Sequence, residues 1–270
     1  MSIKQALQQT INDMVDAHRG ILAMDESAPT IEKRFDAISV ESTEENRRYY
    51  RSLLLDTKDL GDYISSVILF DETLTQKNDA GKLLPEVAWS QKIVPGVKVD
   101  KGKGPLPGAP GDLITSGLDG LAERLAIYRE QVLHSVFHAL HLHNVRLEHM
   151  ILKPNMVLPG KECRRAAPQE IAKATLKVLK RTVPAAVPSV NFLSGGQGPE
   201  EATENLNSIN KLRGNAPWQL SISYGRALQQ PALHAWQGTI ENREAAQQAL
   251  LKRARLNNLA RRGEYSPGLE

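Results

Sequence analysis

Apolar runs of five to eight residues recur along this chain, and most end in a polar or charged residue. They are "GILAM" (20–24), "ISSVILF" (64–70), "KIVPGVKV" (92–99), "LEHMIL" (147–152), "VPSVNFL" (187–193) and "WQLSIS" (218–223). Their length and their Val and Ile content suit buried strands. Between and after them lie stretches with helical spacing of apolar residues: 43–57, 168–183, 199–212 and 241–263. Strands that alternate with helices predict a parallel sheet.

The strand ends collect the chemistry-bearing residues. Asp25, Asp71, Lys98 and Asp100, Lys153, Ser194 and Arg226 each follow or close an apolar run. In parallel α/β folds, functional residues sit at the carboxyl ends of strands, so these positions predict one shared site. The count does not fit a complete eight-unit barrel, which takes about 250 residues at about 31 per unit. The 270 residues would suffice, yet only six strands are legible. The span 117–144 reads as one helix without a breaker, occupying the place of shorter units.

Composition changes this picture little. The chain is 41% hydrophobic and 24% charged, with a formal net charge of +3. That is ordinary globular composition, and no linker divides residues 1–270, so a single domain is expected. No basic arm with interleaved aromatics is present, so nucleic acid is not the expected partner. An anionic small molecule suits the mild positive balance. The one cysteine, Cys163, can form no internal disulfide, and a reducing, cytoplasmic setting is expected. The first twenty residues lack the apolar core of a secretion signal. No stretch approaches the ~20 apolar residues of a membrane helix.

In "HMILKPNMV" (149–157) an apolar run meets Lys153 without a polar transition. A free lysine amine has a pKa of about 10.4 and is a poor nucleophile near neutrality. Desolvation or a neighbouring cation disfavours the charged form and frees the amine to attack a carbonyl. The iminium so formed is an electron sink that permits carbon–carbon bond cleavage. A lysine that reaches solvent or pairs with a carboxylate is the plainer alternative, and this peptide alone leaves both open.

"FLSGGQG" (192–198) offers Ser194 and Gly195 at a strand end, and "SISYGRAL" (221–228) offers Gly225 and Arg226 one unit later. Glycine lets backbone N–H groups approach an anion, and the arginine fork suits phosphate. Either motif alone fits an ordinary strand-to-helix turn. Together, in the last two units of a barrel, they favour a phosphorylated substrate. "ILAMDESAPTIEKRF" (21–35) adds Asp25, able to act as acid or base, then Ser27, Thr30, Lys33 and Arg34. These four could hold a second phosphate or simply cap and decorate a helix. His134, His138 and His141 share a helix face at a spacing seen in zinc sites. A polar helix face is the reading preferred for them.

The motifs "LAMDES", "GVKVDKG", "GLDGLAER", "LEHMILKPNMV", "FLSGGQ" and "SYGRALQ" resemble, in order, those of class I fructose-bisphosphate aldolase, from about Gln5 to Pro267. The resemblance implies an α/β fold of the TIM (β/α)8 barrel type and metal-free, reversible cleavage of fructose 1,6-bisphosphate to dihydroxyacetone phosphate and glyceraldehyde 3-phosphate. It implies a glycolytic, usually homotetrameric enzyme without a cofactor. Lys153 corresponds to the Schiff-base lysine, Asp25 to the carboxylate that handles the C4 hydroxyl proton, and Lys98 to the active-site lysine of the third strand. Ser194, Gly195, Gly225 and Arg226 correspond to one phosphate grip. Ser27, Thr30, Lys33 and Arg34 correspond to residues around the other, though Thr30 is usually serine.

The chain departs from the family in the middle. Two βα units, about 60–65 residues at the per-unit length above, are missing, with a junction near 128–134. The motifs "KWR" and "EPE" of the lost strands occur nowhere in the chain. In the family they supply a cation beside the Schiff-base lysine and a glutamate for carbinolamine dehydration. The expectation is therefore a barrel of about six units, distorted or open, since six strands cannot close with eight-strand shear and tilt. Chemistry is expected to be impaired, with Lys153 at a higher pKa for want of the neighbouring cation. The alternative is an inactive relative that only binds phosphorylated ligands or partners.

Overall fold

The computed structural model describes residues 2–15, 18–99, 103–105, 113–115, 118–119, 133, 136–138, 140–160 and 164–270. The junction at 128–132, Asp100 and Cys163 lie outside the described residues.

The first helix, α1 (Ile3–Val15), precedes β1 (Gly20–Met24), α2 (Ala28–Asp36), α3 (Glu44–Leu55) and β2 (Ile64–Leu69). Then come α4 (Leu84–Ser90), β3 (Val94–Val97) and three short strands, β4 (Lys103–Pro105), β5 (Leu113–Thr115) and β6 (Leu118–Asp119). The second half holds β7 (Ile151–Leu152), α5 (Pro168–Thr182), β8 (Ser189–Phe192), α6 (Pro199–Leu212), β9 (Gln219–Tyr224), α7 (Arg226–Trp236) and α8 (Arg243–Arg262). The six strands expected from the sequence form one sheet in the order β3-β2-β1-β9-β8-β7, and every pairing in it is parallel.

The sheet is open. Its edges are β3 and β7, the strands that flank the missing units, and they do not pair with each other. Edge position shows in exposure: β1 is buried throughout, whereas Val97 of β3 is 40% exposed and the following Val99 87%. Strand β7 is shorter than expected. Leu147–His149 form a 3-10 turn, and only Ile151 and Leu152 pair with β8. With one neighbour instead of two, the polar pair Glu148–His149 is not held extended; the His149 ring lies 3.2 Å from Gln8 of α1.

A second correction concerns 117–144. Leu118 and Asp119 are strand residues paired antiparallel with Thr115 and Ile114, so a helix cannot begin at 117. Leu133, 136–138 and 140–142 are helical, and the rest of that span, with His134, lies outside the described residues. The β4-β5-β6 sheet had no signal in the alternation. It carries Gly104 and Pro105 and few apolar residues, so no period of two stands out.

Alternation along β9 explains the core. Leu220, Ile222 and Tyr224 point to the helices, and the Tyr224 hydroxyl donates to Ala202 O of α6 at 2.9 Å. Ser221 and Ser223 take the other face, as period two requires. Helices α4, α5 and α6 begin alike, with proline in the first turn and a glutamate at the third position accepting from the N–H before the helix: Glu86 from Leu83, Glu170 from Ala167 and Glu201 from Gly198. Each satisfies one backbone donor that the helix itself cannot.

Glu72, in the turn after β2, ties that loop to α3. It accepts from Arg47 Nε at 2.9 Å, from Arg47 Nη2 at 3.0 Å, and from Arg51 Nη1. Burial works to raise its pKa, but the two guanidinium groups outweigh it and hold the carboxyl below its ordinary value. A depressed folded pKa stabilises the fold above the unfolded value, about 4.3, and the contribution is lost as pH falls through the folded one. Glu72→Gln should therefore melt earlier in urea than wild type at pH 7. The gap should close as pH falls from about 4.3 downward. A gap undiminished at pH 2 would count against this clamp.

Candidate active site

All six strand ends open on one cavity of about 1190 Å³. Lined by residues after β1, β2, β3, β7, β8 and β9, it requires the sheet to curl into half a barrel even though its edges stay apart. A second cavity of about 590 Å³ adjoins it and shares Thr30, Arg34, Ser194 and Gly195. Every residue that the family resemblance assigned to the site lines one or both. Asp25, Ser27, Thr30, Arg34, Lys98, Lys153, Ser194, Gly195 and Gly225 line the large cavity, and Lys33 and Arg226 line the side cavity.

Lys153 leaves β7 at one sheet edge and Lys98 leaves β3 at the other. The Lys98 backbone N–H donates to Leu69 O at 2.9 Å, which extends the β2–β3 ladder to that residue. Lys153 lines the cavity and remains exposed to solvent. The protein around its stem still desolvates the ammonium and lowers its pKa. Asp25 opposes that shift, Lys98 adds to it, and Glu26 opposes it. A cation acting on Lys153 is therefore present: curling brings Lys98 within electrostatic reach from the far edge.

The anion-facing side is built from backbone turns. Gly225 ends β9 and precedes α7; a Cβ there would lie 3.1 Å from Ala23 O and 3.7 Å from Arg34 Nη2, so the glycine permits β1, α2 and α7 to meet. Gly196 takes φ +80°, a left-handed turn that glycine adopts without strain. Ser194 is 6% exposed, and Asn155 Nδ2 reaches Gly195 O at 3.4 Å. The Ser27 and Thr30 hydroxyls are 3.2 Å apart at the start of α2. Arg226 Nη2 donates to Gln197 O at 3.4 Å while the side chain remains exposed.

Sequence reasoning passed over three residues of these walls. Glu26 lines the large cavity at 7% exposure, and Gln229, 1% exposed, lies behind it on α7. Glu26 stands beside Asp25 in "LAMDES", but adjacency gave it no separate role. Ser223 also lines the cavity with its hydroxyl unpartnered. Of the zinc-spaced histidines, His138 and His141 are exposed, and no cluster of metal-binding side chains occurs among the described residues.

The family profile "Glycolytic: Fructose-bisphosphate aldolase class-I" matches residues 6–131 and 128–270, two segments that meet inside the span 128–134. The chain belongs to the class I fructose-bisphosphate aldolase family. It is 40% identical to fructose-bisphosphate aldolase B of Sparus aurata over 333 residues, covering 98% of this chain and 92% of that one. The aligned span exceeds the 270 residues of the chain, as an internal gap requires. Cytosolic fructose-bisphosphate aldolase 4 of Arabidopsis thaliana is 42% identical over 315 residues, covering 92% of this chain and 80% of that one. The solved structure of Plasmodium falciparum fructose-bisphosphate aldolase, crystallised with TRAP and a small-molecule inhibitor, superposes with a TM-score of 0.92 at 38% identity. That match covers 98% of this chain and 96% of the other. Among the described residues the fold is thus six parallel strands of an aldolase-type barrel, curled into half a barrel. No helix among the described residues is long and apolar enough to cross a membrane.

Proposed function

We propose that this chain, a single domain over residues 1–270 with the junction near 128–134, binds fructose 1,6-bisphosphate and forms a Schiff base at Lys153. The observation that carries the reading is the convergence of Lys153, Lys98 and Asp25 with the glycine turns and Arg34 on one cavity. In the reading, the neutral amine of Lys153 attacks the C2 carbonyl, and the carbinolamine loses water to give an iminium. Asp25 takes the C4 hydroxyl proton as the C3–C4 bond breaks, and glyceraldehyde 3-phosphate leaves. The electron pair rests in the enamine, which is protonated at C3. Hydrolysis then frees dihydroxyacetone phosphate and the lysine. Ser194, Gly195, Gly225 and Arg226 hold one phosphate, with the start of α7 favouring negative charge. Ser27, Thr30, Lys33 and Arg34 face the other. No metal or cofactor takes part.

The dehydration step lacks the glutamate of the absent "EPE" strand. Loss of a general acid–base group costs about 10²–10⁴-fold, so slow turnover is expected. Borohydride trapping with dihydroxyacetone phosphate tests the reading. The expected result is an adduct on Lys153, insensitive to chelators, with cleavage about 10²–10⁴-fold below the Sparus aurata relative assayed alongside. Full turnover would overturn the impairment. Binding of the phosphorylated sugar without an adduct would favour the second reading, a ligand-binding relative without activity, which the absent motifs and open edges support. The cytosolic Arabidopsis relative supports a cytoplasmic, glycolytic setting.

A further inference from the structure

Glu26 is a buried carboxylate in the wall between the two cavities. Its Oε1 accepts from Arg34 Nη1 at 2.5 Å and from Gln229 Nε2 at 2.7 Å. Gln229 is itself anchored, since the same Nε2 donates to Ala23 O at 2.6 Å. The Glu26 carbonyl accepts from Arg51 Nη2 at 3.1 Å. The carboxylate is therefore held from α2 and α7, and the backbone of the same residue from α3. The residue lines the large cavity.

The consequence falls on Arg34. That side chain lines both cavities, is 21% exposed, and makes no other hydrogen bond among the described residues. With Nη1 held by Glu26, the second amino group, Nη2, lies 3.7 Å from where a Cβ on Gly225 would sit. It is thus presented beside the backbone turn that opens α7. An unheld arginine would spend rotamer entropy in finding that place each time an anion binds.

We propose that Glu26 is a positioning residue that aims Arg34 at the Gly225 turn, so that Arg34 strengthens the phosphate grip of Ser194, Gly195, Gly225 and Arg226 besides the one it shares with Ser27, Thr30 and Lys33. This deepens the aldolase reading and rests on it for the identity of the phosphorylated ligand. Among the described residues, the charged groups that line the large cavity with Glu26 and Lys153 are Asp25, Arg34, Asp71 and Lys98, and Arg51 holds the Glu26 carbonyl. Among them Glu26 works against the lowering of the Lys153 pKa, so its charge has a readout separate from its aim.

The test compares variants of the full chain by calorimetric titration with inorganic phosphate. Glu26→Gln removes the charge but keeps an acceptor for Arg34, while Glu26→Ala removes both. Phosphate should bind about tenfold more weakly to the alanine variant than to the glutamine variant, one immobilised side chain's worth of ordering. The pH midpoint of borohydride trapping should fall in both, because both remove the negative charge that works against the lowering of the Lys153 pKa. Glu26→Asp keeps the charge on a shorter arm. It should bind phosphate as weakly as the alanine variant while keeping the wild-type midpoint, and it serves if the alanine variant does not fold. Equal phosphate affinity in the glutamine, alanine and aspartate variants would overturn the proposal. If wild type binds phosphate but gives no Lys153 adduct, the aldolase reading fails, and the affinity comparison still decides the role of Glu26.

Discussion

Lys153→Met yields a folded protein that gives no borohydride-trapped adduct with dihydroxyacetone phosphate, and residual cleavage falls by on the order of 10⁴-fold or more, as when other covalent nucleophiles are removed. Methionine nearly matches the lysine stem in length and has no amine. The stability result is the second half of the expectation. Desolvation holds the Lys153 pKa below its ordinary value, so the folded state disfavours the charged form. A depressed lysine pKa costs stability below the folded value, and the cost fades as pH rises through it toward the unfolded value, about 10.4. Methionine carries no such cost, so at pH 7 the variant should unfold at the same urea concentration as wild type or a higher one. Mass spectrometry of the trapped protein and a urea melt read both halves. An adduct that persists in the variant, on Lys98 for example, would reassign the nucleophile. A lower urea midpoint would show that Lys153 is structural.

Trp236→Ala should cost about 3–5 kcal/mol, the range for deleting a large buried aromatic. Trp236 is 1% exposed at the end of α7. Its ring stacks on Tyr50 with centroids 5.2 Å apart and on Tyr49 at 6.0 Å, and it meets Phe35 at 5.6 Å with a tilt of 59°. Phe35 belongs to α2 and both tyrosines to α3, so one side chain pins three helices. The same cluster carries the anion-facing residues, because Arg34 precedes Phe35 and Arg226 begins α7. The variant should therefore lose phosphate affinity along with stability, the first visible by calorimetry and the second as a shifted urea midpoint with an unchanged slope. A loss under about 1 kcal/mol would mean that α2 and α7 are held chiefly elsewhere. Such a result would shift attention to Arg51, which links α3 to both Glu26 and Glu72.

The open edge gives both expectations their context. A closed barrel pairs every strand on both sides, whereas β3 and β7 here each have one neighbour. Unpaired edges present backbone groups to solvent and to other chains. Their weakness is visible in β7, which retains two residues where the sequence pattern offered six. Yet that short strand still delivers Lys153 to the cavity, because parallel pairing of Leu152 with Val190 sets where β7 stops.

Much of the molecule was legible in the residue order. The helix at 199–212 runs as the pattern indicates, and six apolar runs become six strands of one sheet. Local burial periodicity carries that information, since one face or both must be apolar. The polar residues after those runs meet in adjoining cavities, because parallel strands put all their carboxyl ends on one side. What the order of residues could not decide depends on curvature and on partners distant in sequence. Whether β3 and β7 pair is a matter of sheet closure, which no local period records. That Lys98 acts on Lys153 follows from the curl that brings opposite edges around one space. The place of Glu26 depends on Arg34, Arg51 and Gln229 arriving from three helices, the last of them 203 residues away in the chain. Sequence alone named Asp25, Arg34, Lys98 and Lys153 near the strand ends; only the meeting of α2, α3 and α7 at the end of β1 determined that Glu26 holds Arg34 in place.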